Sequence, residues 1–150
     1  MPQSIIIIMP KSYRPNTVEH FLSLKWDVTR SEESWGSDLH IQQANVEGRP
    51  IYLSVTEVDA DEAAQNYKEY DNLPMELEEA LDGCAFFRFG FNDFELVSKV
   101  VKEFLYRIGP DIERTWIDDD YGRLFPGTYF LDCITADSGW DWRRRIIGLR

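Results

Sequence analysis

Apolar and polar positions along the chain fall into short blocks whose period switches between two and three or four. Ile5-Ile6-Ile7-Ile8-Met9 is an unbroken apolar run rich in β-branched side chains, the composition of a strand buried on both faces. Asn16 or Thr17 is placed to cap a short helix through Val18, Phe21, Leu22 and Trp26, which are apolar at helical intervals. Residues 27–37 follow neither period and read as an irregular connection. Residues 39–46 and 50–58 flank Glu47-Gly48 as a hairpin, with Ile51, Leu53 and Val55 on one face and Tyr52, Ser54 and Thr56 on the other.

The second half repeats the alternation of strand and helix less regularly. Asp59 with Glu62 has capping-box spacing, followed by a weakly apolar stripe of Ala60, Ala63, Ala64 and Tyr67. A second short helix runs from Leu73 through Leu77, Ala80 and Leu81 to a stop at Gly83. Residues 84–91 form a strand with Phe87, Phe89 and Phe91 on one side and Arg88 on the other. Asn92 and Glu95 make another capping box, and Phe94, Val97, Val101, Phe104 and Ile108 form the buried stripe of the clearest helix, which Gly109-Pro110 ends. Glu95, Lys99 and Glu103 line its outer face. Thr115-Trp116-Ile117 and residues 129–134 read as two last strands around the loop 118–126.

The resulting order, β-α-β-β-α-α-β-α-β-β, predicts an α+β fold: a mixed or antiparallel sheet with helices packed on it in two layers. At 150 residues with no repeat, linker or low-complexity tract, the chain reads as one domain over 1–150. With 43% hydrophobic residues it has core enough to fold without a metal or disulfide. Cys84 and Cys133 each sit in an apolar run and read as buried free thiols, which points to an intracellular protein. The apolar start is far too short for a membrane span or a secretory core and has no basic residue before it. The expectation is a soluble, cytoplasmic protein.

Charge narrows the partners. Sixteen Lys and Arg against 27 Asp and Glu give a net charge of -11, a surface that repels nucleic acid and anionic membranes unless a local basic patch intervenes. The one candidate patch, Arg143-Arg144-Arg145 with Arg150 beside Trp140 and Trp142, reads as a tail that packs its tryptophans and solvates its arginines. Residues 57–82 concentrate the charge: Glu57, Asp59, Asp61, Glu62, Glu69, Asp71, Glu76, Glu78, Glu79 and Asp82 against Lys68 alone, or 1 − 10 = -9. One reading is a solvated surface that aids solubility. The other is a one-sided field that steers a basic partner, with Tyr67 and Tyr70 as aromatic anchors.

Catalytic and metal-binding patterns are sparse. There is no phosphate-binding glycine loop, His-Glu-x-x-His pair, Cys-x-x-Cys pair or Gly-x-Ser-x-Gly elbow. His20 and His40, the only histidines, read as ordinary surface or hydrogen-bonded side chains. Asp118-Asp119-Asp120-Tyr121-Gly122 is the sharpest motif. It admits a turn or partner contact, a hard-cation site, or a pair of general acids. The first is preferred, because the following Arg123-Leu124-Phe125-Pro126 lacks the spaced oxygen donors of a calcium loop. No catalytic residue, metal or cofactor is therefore expected. The expected partner-binding residues are Asp59, Asp61, Glu62, Glu69, Tyr70, Asp71, Glu76, Glu78, Glu79, Asp118, Asp119, Asp120 and Tyr121.

The strand 84–91, the capped helix 92–108 and Trp116-Ile117-Asp118-Asp119-Asp120-Tyr121-Gly122 together resemble small bacterial immunity proteins, which accompany polymorphic toxins of contact-dependent growth inhibition and Rhs-type systems. The resemblance spans residues 84–131 and is one of texture, without a diagnostic motif. It implies a cytoplasmic inhibitor that neutralises a cognate toxin domain, often a nuclease, by binding it tightly. A small enzyme using Asp118, Asp119 and Asp120, with or without a metal, and a regulatory adaptor stand as alternatives.

Overall fold

Strand alternation builds the centre of the molecule. The computed structural model describes residues 3–33, 36–71, 73–120, 122–137 and 139–143. β1 (Gln3–Pro10) turns Ile5, Ile7 and Met9 to one face and Ile6 and Ile8 to the other, so the apolar run is buried on both. It pairs with β5 (Cys84–Phe91) on one side, Ile7 opposite Phe87, and with β6 (Trp116–Asp118) on the other, Ile7 opposite Ile117. β4 (Pro50–Val58) lies beyond β5, then β3 (Gly36–Ala44), then β2 (Thr29–Glu33); β7 (Leu124–Pro126) closes the far side against β6. The sheet order is β2-β3-β4-β5-β1-β6-β7, and every pairing is antiparallel. The α+β architecture expected from the element order is the one the chain adopts.

The main face of the sheet carries Leu53, Val55, Phe87, Phe89 and Phe91 beside the odd-numbered residues of β1. On it pack α1 (Pro15–Ser23), α4 (Phe94–Arg107) and α5 (Gly127–Ala136). α4 buries Leu96, Val97, Val100, Val101, Phe104 and Leu105 along one stripe. Burying a phenylalanine such as Phe89 or Phe104 stabilises the fold by about 2 kcal/mol. The second face is covered only in part. α2 (Ala60–Tyr67) and α3 (Met75–Ala80), with the 3-10 turn Leu81–Gly83, lay Ala63, Ala64, Tyr67, Leu77 and Leu81 over Ile6, Ile8 and Phe86. The arrangement is two-layered over β2, β3 and β4, and gains a third layer over β1 and β5. No helix among the described residues is long and apolar enough to cross a membrane.

Several local expectations are corrected. Residues 129–134 lie in α5 and are not a strand. Tyr-Phe-Leu-Asp-Cys-Ile fits either period, and the backbone at Gly127 decides. A Cβ there would lie 2.9 Å from the carbonyl oxygen of Thr115, the residue before β6, so only glycine lets the helix begin this close to that backbone. The stretch 27–37 is not irregular: it holds β2 and the start of β3. Strand β3 accordingly begins at Gly36 and ends at Ala44. α1 starts at Pro15 with Arg14 as its cap and takes no side-chain bond from Asn16 or Thr17, because proline supplies a preset φ at the first helical position. α4 is capped by Asp93, which accepts from the Leu96 amide at 2.9 Å. Asn92 instead reaches β4, accepting from the Tyr52 amide at 2.8 Å. The loop 118–126 contains β7. Both cysteines are free, but only Cys84 is buried; Cys133 is half-buried on α5.

Candidate functional site

Two segments that are 36 or more residues apart in sequence come together on the second face of the sheet. α2 and α3 project their polar side outward, and the β6–β7 hairpin meets them at Tyr67. The Asp59 carboxylate caps α2 by accepting from the Glu62 amide at 2.9 Å. From that N-cap the helix runs with Ala63, Ala64 and Tyr67 towards the sheet and Asp61 and Glu62 towards water. Glu69, Tyr70 and Asp71 follow the helix and are exposed, as are Glu76, Glu78 and Glu79 on α3.

These carboxylates are not neutralised locally. The single cation of the segment, Lys68, is taken up by Asp82 at 2.9 Å. Among the described residues, Asp59, Asp61, Glu62, Glu69, Asp71, Glu76, Glu78 and Glu79 form no ion pair. The other side of the molecule differs: α4 carries Glu95–Lys99 and Glu103–Arg107 pairs at helical spacing, and Arg114 pairs with Asp111. Acidic potential is therefore concentrated on one face and cancelled on the other.

The hairpin supplies the rest of the surface. β6 and β7 pair Asp118 with Leu124, and the Asp119 amide donates to the Arg123 carbonyl at 3.1 Å. The turn requires left-handed backbone at Asp120 (φ 65°) and Gly122 (φ 89°), which aspartate tolerates and glycine adopts freely. Its three aspartates have separate roles. Asp118 is buried and accepts from the Tyr67 hydroxyl and from the Asp120 amide. Asp119 is fully buried and accepts from the Arg123 side chain at 2.7 Å and the Arg123 amide at 3.0 Å. Only Asp120 is exposed, accepting from the Ser4 hydroxyl at 3.0 Å. Tyr121 lies outside the described residues. Of the thirteen expected contact residues, Asp118 and Asp119 thus hold the hairpin from within, and Asp120 is the one of the three aspartates that faces solvent.

Tyr67 also differs from its expected part. It is buried and stacked on Phe86 at 5.7 Å, so its ring is not part of the exposed surface. Tyr70, 43% exposed, lies 5.1 Å from it between ring centroids. Between the two segments opens a cleft of about 470 Å³ lined by Glu69, Tyr70, Asp71, Pro74, Gly122 and Leu124. Its floor chemistry is one aromatic ring flanked by carboxylates, a setting that suits a cationic side chain. Arg123 and Ser4 brace the hairpin and were not singled out from sequence, although Arg123 stands four residues after Asp119. Among the described residues no group of three or more His, Cys, Asp or Glu side chains is arranged to hold a metal.

Burial raises the Asp118 carboxyl above the ordinary 3.8, although the Tyr67 and Asp120 bonds pull it partly back; Asp120 and Asp119 nearby push it further up. Burial likewise raises the Tyr67 hydroxyl, with the Asp118 charge adding to it. A carboxyl whose folded pKa is raised binds more protons folded than unfolded, so its ionised form costs stability at neutral pH and that cost fades as pH falls. Asp118→Asn keeps the fold, since the amide oxygen accepts from Asp120 while its NH₂ donates to a reoriented Tyr67 hydroxyl. Thermal melts should therefore show Asp118→Asn within about 1 kcal/mol of wild type at neutral pH, and Asp118→Ala lower by about 2 kcal/mol because a buried donor loses its acceptor. Wild type should then gain on Asp118→Asn as the pH is lowered towards 3.8; a gap that widens the other way refutes this.

No protein-family model, curated protein or solved structure matches the chain.

Proposed function

We propose that this chain is a non-catalytic binding protein of the immunity type, which neutralises a basic toxin domain through the face formed by α2, α3 and the β6–β7 turn. The observation that carries the reading is the row of exposed carboxylates from Asp59 to Glu79 that find no cation among the described residues. Charges that serve solubility alone are interspersed with the opposite sign. Here one sign is left uncompensated around a cleft holding Tyr70, and such a field speeds encounter with a cationic surface. A nuclease is cationic where it grips phosphate, and carboxylates can occupy that grip. The resemblance to toxin-neutralising immunity proteins supports the same reading, as does the cytoplasmic setting expected for them.

A catalytic reading has one observation in its favour: a buried carboxyl with raised pKa, Asp118, bonded to a tyrosine, the sort of perturbation found in acid–base sites. Stoichiometry separates the two. In cells co-expressing the protein with the toxin encoded beside it, protection should require about one inhibitor per toxin and should persist in Asp118→Asn and Asp120→Asn. Protection far below that ratio, lost in Asp118→Asn, means turnover and removes the binding reading.

A further inference from the structure

We infer that β2 is an interface for a second copy of this chain, which adds its own β2 antiparallel across a two-fold axis at Ser31 and joins the two sheets into one. Among the described residues β2 is the outermost strand of the sheet and pairs only with β3. Its five residues, Thr29-Arg30-Ser31-Glu32-Glu33, contain no proline and no glycine, so alternate backbone N–H and C=O groups face outward in unbroken register. The opposite edge, β7, has only three residues and ends in Pro126, which offers no donor there.

Charged residues on an edge strand usually serve to repel other strands, and the register shows why this set does not. Residues opposed in an antiparallel pair must share a face, so a symmetric pairing of two β2 strands centres on a residue, never between two. Centring on Arg30 sets Arg30 against Arg30, and centring on Glu32 sets Glu32 against Glu32; both oppose like charges. Centring on Ser31 overlaps all five residues and places Arg30 of each copy opposite Glu32 of the other, twice by symmetry. The strand is self-complementary in its longest register and self-repelling in the next two. Within one chain the Arg30 side chain is already held at the edge by Glu19, whose carboxylate accepts from its Nε at 3.0 Å, and lies 3.6 Å from Glu32. Glu32 itself is 70% exposed and makes only this 3.6 Å pair with its own Arg30 among the ion pairs of the described residues, so its carboxylate can turn to the Arg30 of a second copy. The second copy is favoured over an unrelated peptide because the pattern matches its own reverse.

Sedimentation equilibrium at low ionic strength tests this. The wild-type mass should rise with concentration from 17.6 kDa towards twice that value, and added salt should reverse the rise. Glu32→Arg keeps the Arg30–Glu19 contact and turns both cross-copy pairs repulsive, so the dimer dissociation constant should rise by about tenfold or more. Arg30→Glu should do the same alone, and mixing the two single variants should restore a dimer, since each then faces its opposite charge. Hydrogen exchange should slow at the β2 amides as concentration rises. A wild-type chain that stays monomeric up to millimolar concentration overturns the inference. So does a dimer unaffected by Glu32→Arg, or one whose protection falls on another segment; if Arg30→Glu does not fold, Glu32→Arg and the exchange data decide alone.

Discussion

Changing Asp61, Glu62, Glu69, Glu78 and Glu79 together to lysine is expected to slow association with a basic partner by about ten- to a thousandfold while the fold survives. Each change alters the charge by two, so the net charge moves from -11 to -1. All five side chains are exposed and outside every ion pair seen among the described residues, and substitutions at such positions cost little stability. Asp59 is left in place because it caps α2. Two lysines in the first turn of α2 oppose its dipole, at a cost of some tenths of a kcal/mol each. Stopped-flow association against ionic strength provides the measurement. Wild type should lose rate steeply as salt rises, because steering acts over roughly a 10 Å Debye length at 0.1 M. The variant should be slow at low salt and nearly flat. An unchanged rate and slope would take α2 and α3 out of the mechanism, leaving Tyr70 and Asp120 as the remaining contacts of that surface.

What the sequence disclosed depended on whether a segment had one physical reading or two. Phe87, Phe89 and Phe91 alternate without ambiguity, and β5 spans the residues expected. The stripe Val97, Val101 and Phe104 has helical spacing, and the fourteen-residue α4 follows it. β2 escaped because an edge strand with polar side chains lacks the apolar alternation by which strands are recognised; its pairing with β3 makes it a strand. α5 escaped because six apolar-rich residues fit both periods, and a contact with Thr115, twelve positions earlier, settles the matter. The acidic surface was legible because charge that has little opposite charge near it in sequence also finds no ion-pair partner among the described residues. The aspartate triplet was not, since nothing in Asp-Asp-Asp tells which carboxylate faces inward. That is decided by strand alternation carried into the turn: Asp118 stands opposite Leu124 and beside Ile6, under Tyr67.

Asp119→Ala is expected to be the most damaging single change in this surface, lowering stability by about 3 kcal/mol. Asp119 is 0% exposed and accepts from both the side chain and the amide of Arg123. Breaking a fully buried pair costs about 3–5 kcal/mol. The lower end applies here, because the Arg123 side chain is 38% exposed and water can take up part of the loss. The damage reaches further than the turn. Arg123 also donates to the Trp142 carbonyl and lies over the Phe125 ring at 5.5 Å, while Trp142 packs on Phe94 and Phe130 at 4.5 and 5.1 Å. Asp119 therefore ties the hairpin to the aromatic cluster at the end of α4. For a chain of this length such a loss lowers Tm by about 6–12 °C. Asp119→Asn should cost less, since its oxygen still accepts from the Arg123 amide while its NH₂ faces the guanidinium. Arg123→Ala made alone should cost most of the same energy, and the double change should cost far less than the sum if the two act as one unit. Additive losses would mean that Asp119 is held by other contacts, and the hairpin would then owe its place to Tyr67 and Asp118.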